Sequence, residues 1–228
     1  GPYKVETIKY TYTNENQIET FNDAGENRKV TVDFWFPKNA DGNYPLAVFS
    51  HGAFGIGFSN ASAYEELASN GYVVCSINHT YHAMATIETD GKIITADKGF
   101  MKEVMDCNTT INHEEVICNI FKKWMELRTT DINFVIDTIL KNANIKESDR
   151  VYKLIDTEKI GLFGHSMGGS AVTIVGRERS GIDAVINLDA PLFGELLGFQ
   201  NGTMLVRQNS YPLPLLNVYS DDLWGHMD

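Results

Sequence analysis

The 228-residue sequence is short of three things. It has no run of about 18 apolar residues, the length a membrane-spanning helix needs, so no span is expected. It has no surplus of cation, since 19 Lys and Arg stand against 30 Asp and Glu for a formal net charge of -11. Too few positive side chains remain to neutralise a phosphate backbone, which argues against a nucleic-acid partner. Anionic lipid surfaces hold no attraction either, while neutral lipid and ester substrates stay open. Cysteine is scarce: Cys75, Cys107 and Cys118 are too scattered for a disulfide framework or a zinc site, and a reduced, structural role is expected.

What remains is ordinary for a soluble chain. Hydrophobic residues at 43 % and charged residues at 21 % suit one compact domain with a sizeable core, here 1–228. There is no internal repeat, low-complexity stretch or interdomain linker. Gly1-Pro2 reads as the remnant of a protease site, so the native N-terminus is expected to lie elsewhere and the compartment, cytoplasmic or secreted, stays open. The N-x-S/T patterns beginning at Asn60, Asn78, Asn108 and Asn201 read as coincidences in a chain rich in Asn and Thr.

Tyr3 to Thr13 and Lys29 to Pro37 are rich in Val, Thr, Tyr and Phe, with turn residues Asn22-Asp23-Ala24-Gly25 between them, which predicts an antiparallel pair. Leu46 to Ser50, short and apolar, predicts a strand buried on both faces. A helix over Ala61 to Ser69, ended by Asn70-Gly71, and a buried strand over Tyr72 to Ile77 follow. From about His79 to Asn112 the residues are polar, mixed and without periodicity, which predicts an irregular, lid-like excursion above the sheet. His113 to about Ala143 carries a strong helical stripe, with Asp131 after Thr129-Thr130 placed to cap a second helix. Strands at Lys159 to Phe163, Ile182 to Leu188 and Leu213 to Tyr219, with a helix at Met167 to Arg177, complete an alternation that implies parallel crossovers and an α/β sheet.

The chemistry concentrates in Ile160-Gly161-Leu162-Phe163-Gly164-His165-Ser166-Met167-Gly168-Gly169, a strand, a G-x-S-x-G turn and a helix start. The bare pattern arises readily by chance. Its setting between an apolar strand and a small-residue helix marks a nucleophile elbow, in which glycines let strand and helix pack around a strained serine. Ser166 is the expected nucleophile, at a helix N-terminus where free amides favour a developing anion. One oxyanion donor is expected from the Met167 amide and the second from the Ala53 amide, in Ser50-His51-Gly52-Ala53-Phe54-Gly55, with His51 holding the loop.

Two positions compete for the acid that orients a histidine. Asp189 follows the Ala184 to Leu188 strand, and Asp221 or Asp222 follows the next one; position alone leaves them even. The base should follow the last strand in this Ser–Asp–His order. His226 is the one histidine after Asp189, yet no further helix and strand fit between it and the Leu215 strand. Either the base lies beyond Asp228, with a C-terminal strand and helix of the fold, which is the expectation, or His226 takes the role in an unusual way. His79 and His82 read as loop histidines able to line the pocket.

These residues resemble the plasma-type platelet-activating-factor acetylhydrolases (group VII phospholipases A2) and their bacterial relatives, within the α/β-hydrolases. The likeness runs from Gly42 to about Glu195 and rests on Tyr44 to Gly52, Leu67 to Val74, Gly164 to Gly169 and Leu188-Asp189-Ala190. It implies a central, mostly parallel sheet flanked by helices, Asp189 as the acid, and Ala53 and Met167 as the oxyanion positions. It further implies serine-dependent hydrolysis of short-acyl or phospholipid-type esters without metal or organic cofactor. Two departures stand out: Pro191 occupies a position where the family often has Trp, and the family's C-terminal histidine segment is absent from 1–228. A serine amidase, peptidase or polyester hydrolase shares the elbow, and a non-catalytic binding protein of this fold is the alternative of another class.

Overall fold

The computed structural model describes residues 1–109, 114–200 and 203–221. Strands β1 (Val5–Ile18) and β2 (Asn27–Pro37) form the expected antiparallel pair, followed by β3 (Tyr44–Ser50), α1 (Ala61–Ser69) and β4 (Val73–Asn78). Next come β5 (Ala85–Ile87), β6 (Ile93–Thr95), α2 (Lys98–Thr109), α3 (Glu114–Ala143) and α4 (Arg150–Lys153). The chain continues through β7 (Ile155–His165), α5 (Met167–Glu178), β8 (Ala184–Leu188), a hairpin of β9 (Leu196–Gln200) and β10 (Thr203–Val206), and β11 (Leu215–Val218).

Seven strands form one sheet in the order β1-β2-β4-β3-β7-β8-β11. β1, β2 and β4 pair antiparallel, and every step from β4 to β11 is parallel. β3 and β4 lie inside this sheet with both faces covered, which is why β3 reads as a short apolar run and every residue of β4 is buried. One face packs on α3 and α5 through Val48, Ile132, Ile136, Ile139, Leu162 and Val172, all essentially buried. The other packs on α1 through Trp35, Phe49, Tyr64 and Phe163. This is an α/β fold with a central, mostly parallel sheet and flanking helices.

Two expectations about secondary structure fail. Residues 79–109 are not irregular throughout: they include the β5–β6 hairpin and α2. Periodicity is weak there because these elements are short and largely exposed, and their backbone pairs with itself. Nor does Asp131 cap a second helix. It lies within α3, a continuous helix of 30 residues, and is fully buried. An interior Asp is tolerated because its carboxylate finds partners outside the helix, described below.

No helix among the described residues is long and apolar enough to cross a membrane.

Candidate active site

Three parallel strands bring the site together at their C-terminal ends. Register pairs Ser50 with Gly164, and His165 with Leu188. The loop after β3, Ser166 after β7 and Asp189 after β8 therefore leave the sheet at one level, where ligands gather in folds of this kind.

Ser166 has φ 52 and ψ -128, a left-handed conformation that L-residues avoid. The surrounding glycines make it attainable. A Cβ on Gly164 would lie 2.4 Å from the Gly168 carbonyl oxygen, and one on Gly168 would lie 2.0 Å from that of Ser50. The Ser166 amide donates to Leu188 O at 2.9 Å, tying the turn to β8. Ser166 is half-buried, whereas Met167 is buried. Met167 opens α5, so its amide belongs to the first turn, which has no carbonyl four residues back to bond.

Opposite the serine runs the loop after β3. A Cβ on Gly52 would come within 3.2 Å of Ser166 Cβ, so a side chain at position 52 would press on the serine. The Phe54 amide donates to His82 O at 3.1 Å and the Gly55 amide to Gly52 O at 3.2 Å. Ala53, between them, lines a cavity of about 370 Å³ shared with Gly52, Phe54, Ser59, His165 and Ser166. That volume falls within the range of small-molecule sites, about 300 to 1,000 Å³.

Asp189 also has positive φ, 54, and its amide donates to Val218 O at 2.7 Å. Its carboxylate accepts from the Ser220 amide and hydroxyl, both at 2.8 Å to Oδ1, and from the hydroxyl again at 2.9 Å to Oδ2. Those donors hold its pKa below the usual carboxylate value. The rival Asp221 is exposed. Asp222 and His226 lie outside the described residues.

Beneath the loop after β3 lies a buried polar network that the sequence did not reveal. Ser50 Oγ bonds His79 Nε2 at 2.9 Å, and His79 Nδ1 bonds Asp131 Oδ2 at 2.9 Å. Arg28 grips Asp131 with two bonds, of 2.7 and 2.8 Å, and reaches Glu19 at 2.8 Å. His51, expected to hold the loop, is buried between Gly52 O, 2.6 Å from its Nδ1, and the His79 amide, 3.2 Å from its Nε2. A carbonyl only accepts and an amide only donates, so His51 carries its proton on Nδ1 and is neutral. Burial, then Arg128, pushes the pKa of His51 well down, and the same two causes bring His79 to about 4. A sequence-level signal was present: Arg128 and Asp131, three residues apart, interrupt the apolar stripe of α3.

Taken together, the fold is that of an α/β-hydrolase with a serine elbow at the carboxyl edge of its sheet. Residues 20–217 match the family described as platelet-activating factor acetylhydrolase, isoform II, and the chain belongs to that family. It is also 26% identical over 151 residues to a "Probable 1-alkyl-2-acetylglycerophosphocholine esterase" of Arthroderma benhamiae. That alignment covers 66% of this chain but 32% of the relative, so the chain spans about a third of that protein's length. Among solved structures, a ferulic acid esterase from Streptomyces cinnamoneus superposes with a TM-score of 0.64 at 21% identity, covering 99% of this chain and 69% of the other. At that identity the likeness speaks for the fold and not for the substrate.

Proposed function

We propose that this chain carries the nucleophile, acid and oxyanion hole of a serine esterase acting on carboxylic esters with short acyl groups, including phospholipid-type esters. Ser166 attacks the ester carbonyl, the Ala53 and Met167 amides receive the oxyanion, and Asp189 orients the histidine that takes the serine proton. Water then releases the acyl group. That histidine is His226 or one beyond Asp228. No metal or organic cofactor enters the scheme.

One observation carries the reading. Ser166 is held at a strained elbow directly against Gly52, with Ala53 facing the same cavity. Strain of this kind, worth about 1–3 kcal/mol, persists where the surrounding structure over-determines it, commonly at active sites. The preference for short acyl groups is supported by family membership, by the A. benhamiae relative's description as an acetyl-ester hydrolase, and by the size of the cavity.

Fluorophosphonate labelling of the full-length protein tests the nucleophile. Stoichiometric modification at Ser166 is expected, and an inert Ser166 would favour a non-catalytic binding protein. A panel of p-nitrophenyl esters then tests the acyl preference. Rates should fall as the chain lengthens from acetate to palmitate, and equal rates would contradict the short-acyl reading.

A further inference from the structure

Arg128 is fully buried, and its hydrogen bonds converge on one feature of the fold. From α3 it donates through Nη1 to His51 O, through Nη2 to Gly52 O at 3.4 Å, and through Nε to His82 Nδ1 at 3.4 Å. His82 is itself stacked on Phe100 of α2, with centroids 3.8 Å apart and planes 8° apart, and its carbonyl accepts the Phe54 amide. One guanidinium thus holds the peptide planes before and after Gly52 and the histidine that braces Phe54.

Peptide geometry turns this clamp into an orientation. In a trans peptide the carbonyl and the following N–H point in opposite directions. The Gly52 carbonyl is held by Arg128 Nη2 at 3.4 Å and His51 Nδ1 at 2.6 Å, and within the loop it also accepts the Gly55 amide at 3.2 Å. The N–H of the same plane belongs to Ala53, so it must face outward, toward the cavity that Ser166 lines. A buried guanidinium whose hydrogen bonds go to carbonyls and an imidazole rather than to a carboxylate has its desolvation only partly offset. Its planar fork spans two successive carbonyls, which an ammonium on a flexible stem does less well.

We infer that Arg128, by gripping the carbonyl oxygens of His51 and Gly52, is a positioning residue that aims the Ala53 N–H at the oxyanion. The inference rests on the proposed esterase reading and extends it to a residue that never touches substrate. The Ser50–His79–Asp131–Arg28 network backs the clamp, because the His79 amide locks the far side of the His51 ring.

The test compares Arg128→Met and Arg128→Lys with wild type in the full-length protein, using p-nitrophenyl acetate. Loss of one aimed oxyanion donor costs about 100-fold or more in kcat, with KM changed little. Arg128→Met should show that split, and Arg128→Lys, which keeps the charge but not the fork, should recover part of the loss. Ile139→Val, a core change on the same helix, should leave kcat unaltered, so a general loosening of α3 is told apart from loss of aim. Independently of turnover, the Ala53 amide, identified by comparison with Ala53→Gly in a protein carrying isotope-labelled alanine, should shift in Arg128→Lys and exchange faster with solvent. A folded Arg128→Met with wild-type kcat, or an unmoved Ala53 amide in Arg128→Lys, would overturn the inference. If Arg128→Met does not fold, Arg128→Lys gives both readouts. If wild-type Ser166 is inert, the esterase reading falls while the amide measurement still decides whether Arg128 aims the loop.

Discussion

The molecule contains two serine–carboxylate settings built from the same residue types and put to opposite use. In one, Ser50, His79 and Asp131 form an unbroken hydrogen-bonded chain, every side chain buried. In the other, Ser166 and Asp189 stand half-buried at the ends of adjacent strands, both at positive φ. Residue identity and hydrogen-bond order would choose the first as a catalytic triad. The proposed function rests on the second, for physical reasons. Ser50 sits in an ordinary strand with no path for a substrate, its hydroxyl spoken for and its histidine locked to a carboxylate that Arg28 already neutralises. A nucleophile needs an open face, nearby amides and a backbone that lifts it from the sheet, and of these two serines Ser166 is the one whose surroundings support the proposed role.

The sharpest way to break this comparison is to remove each hydroxyl in turn. Ser166→Ala should lower ester hydrolysis by about 10⁴-fold or more, because the covalent step disappears, while thermal stability changes little. Ser50→Ala should retain activity within a few-fold and instead cost about 1 kcal/mol of stability, the usual net worth of a buried hydrogen bond. Steady-state rates beside a denaturant titration decide between them. If Ser50→Ala were the inactive variant, the assignment of roles would be reversed.

The two carboxylates sharpen the contrast. Asp131→Asn leaves Arg28 buried with half its counter-charge and should destabilise by about 3–5 kcal/mol. Asp189→Asn removes a partly exposed carboxylate and should act on kcat far more than on stability. Chemical unfolding at neutral pH measures the first effect and turnover the second. Equal stability losses at the two sites would mean that Asp189 is as structural as Asp131.

Why one setting was legible in the sequence and the other was not follows from range. The elbow is local. Gly164, Ser166, Gly168 and Gly169 lie within one turn, and the steric demand that selects them acts between near neighbours and β3. The strands on either side were legible for a similar reason, since apolar runs report burial directly. The network joins residues 103 positions apart in Arg28–Asp131 and 52 apart in His79–Asp131, and no periodicity encodes such a pairing. Thr129-Thr130-Asp131 has the composition of a helix start, so local reasoning divided α3 where only the distant Arg28 explains why it continues. The β5–β6 and β9–β10 hairpins escaped for another reason: each strand pairs only with its hairpin neighbour, outside the seven-stranded sheet, so no long run of apolar residues marks it.

A last contrast distinguishes the two regions by pH alone. His51, His79 and His82 are held neutral by burial first and by the Arg128 cation second, and Arg28 opposes a charge on His79 and His82 as well. Asp131 favours the charged form of each but does not prevail, and His79 is brought from 6.5 to about 4. Once unfolded, the same imidazoles take up protons near 6.5. Between the two values the unfolded chain therefore binds more protons, so stability falls as pH is lowered and is recovered as it is raised. Each histidine contributes up to about 1.4 kcal/mol per pH unit across that window, and the contribution of His79 stops growing once the folded state protonates near 4. Unfolding free energy measured from pH 7 to pH 5 should drop accordingly. His79→Gln, whose amide offers one donor and one acceptor and no titratable group, should flatten the slope by about one histidine's share. Asp189 also has a lowered pKa, and the stability it contributes is lost mainly at more acid pH, as carboxylates protonate. A stability that stayed level from pH 7 to pH 5 would mean that the buried histidines are already charged in the fold, and the clamp beneath the oxyanion loop would need a different account.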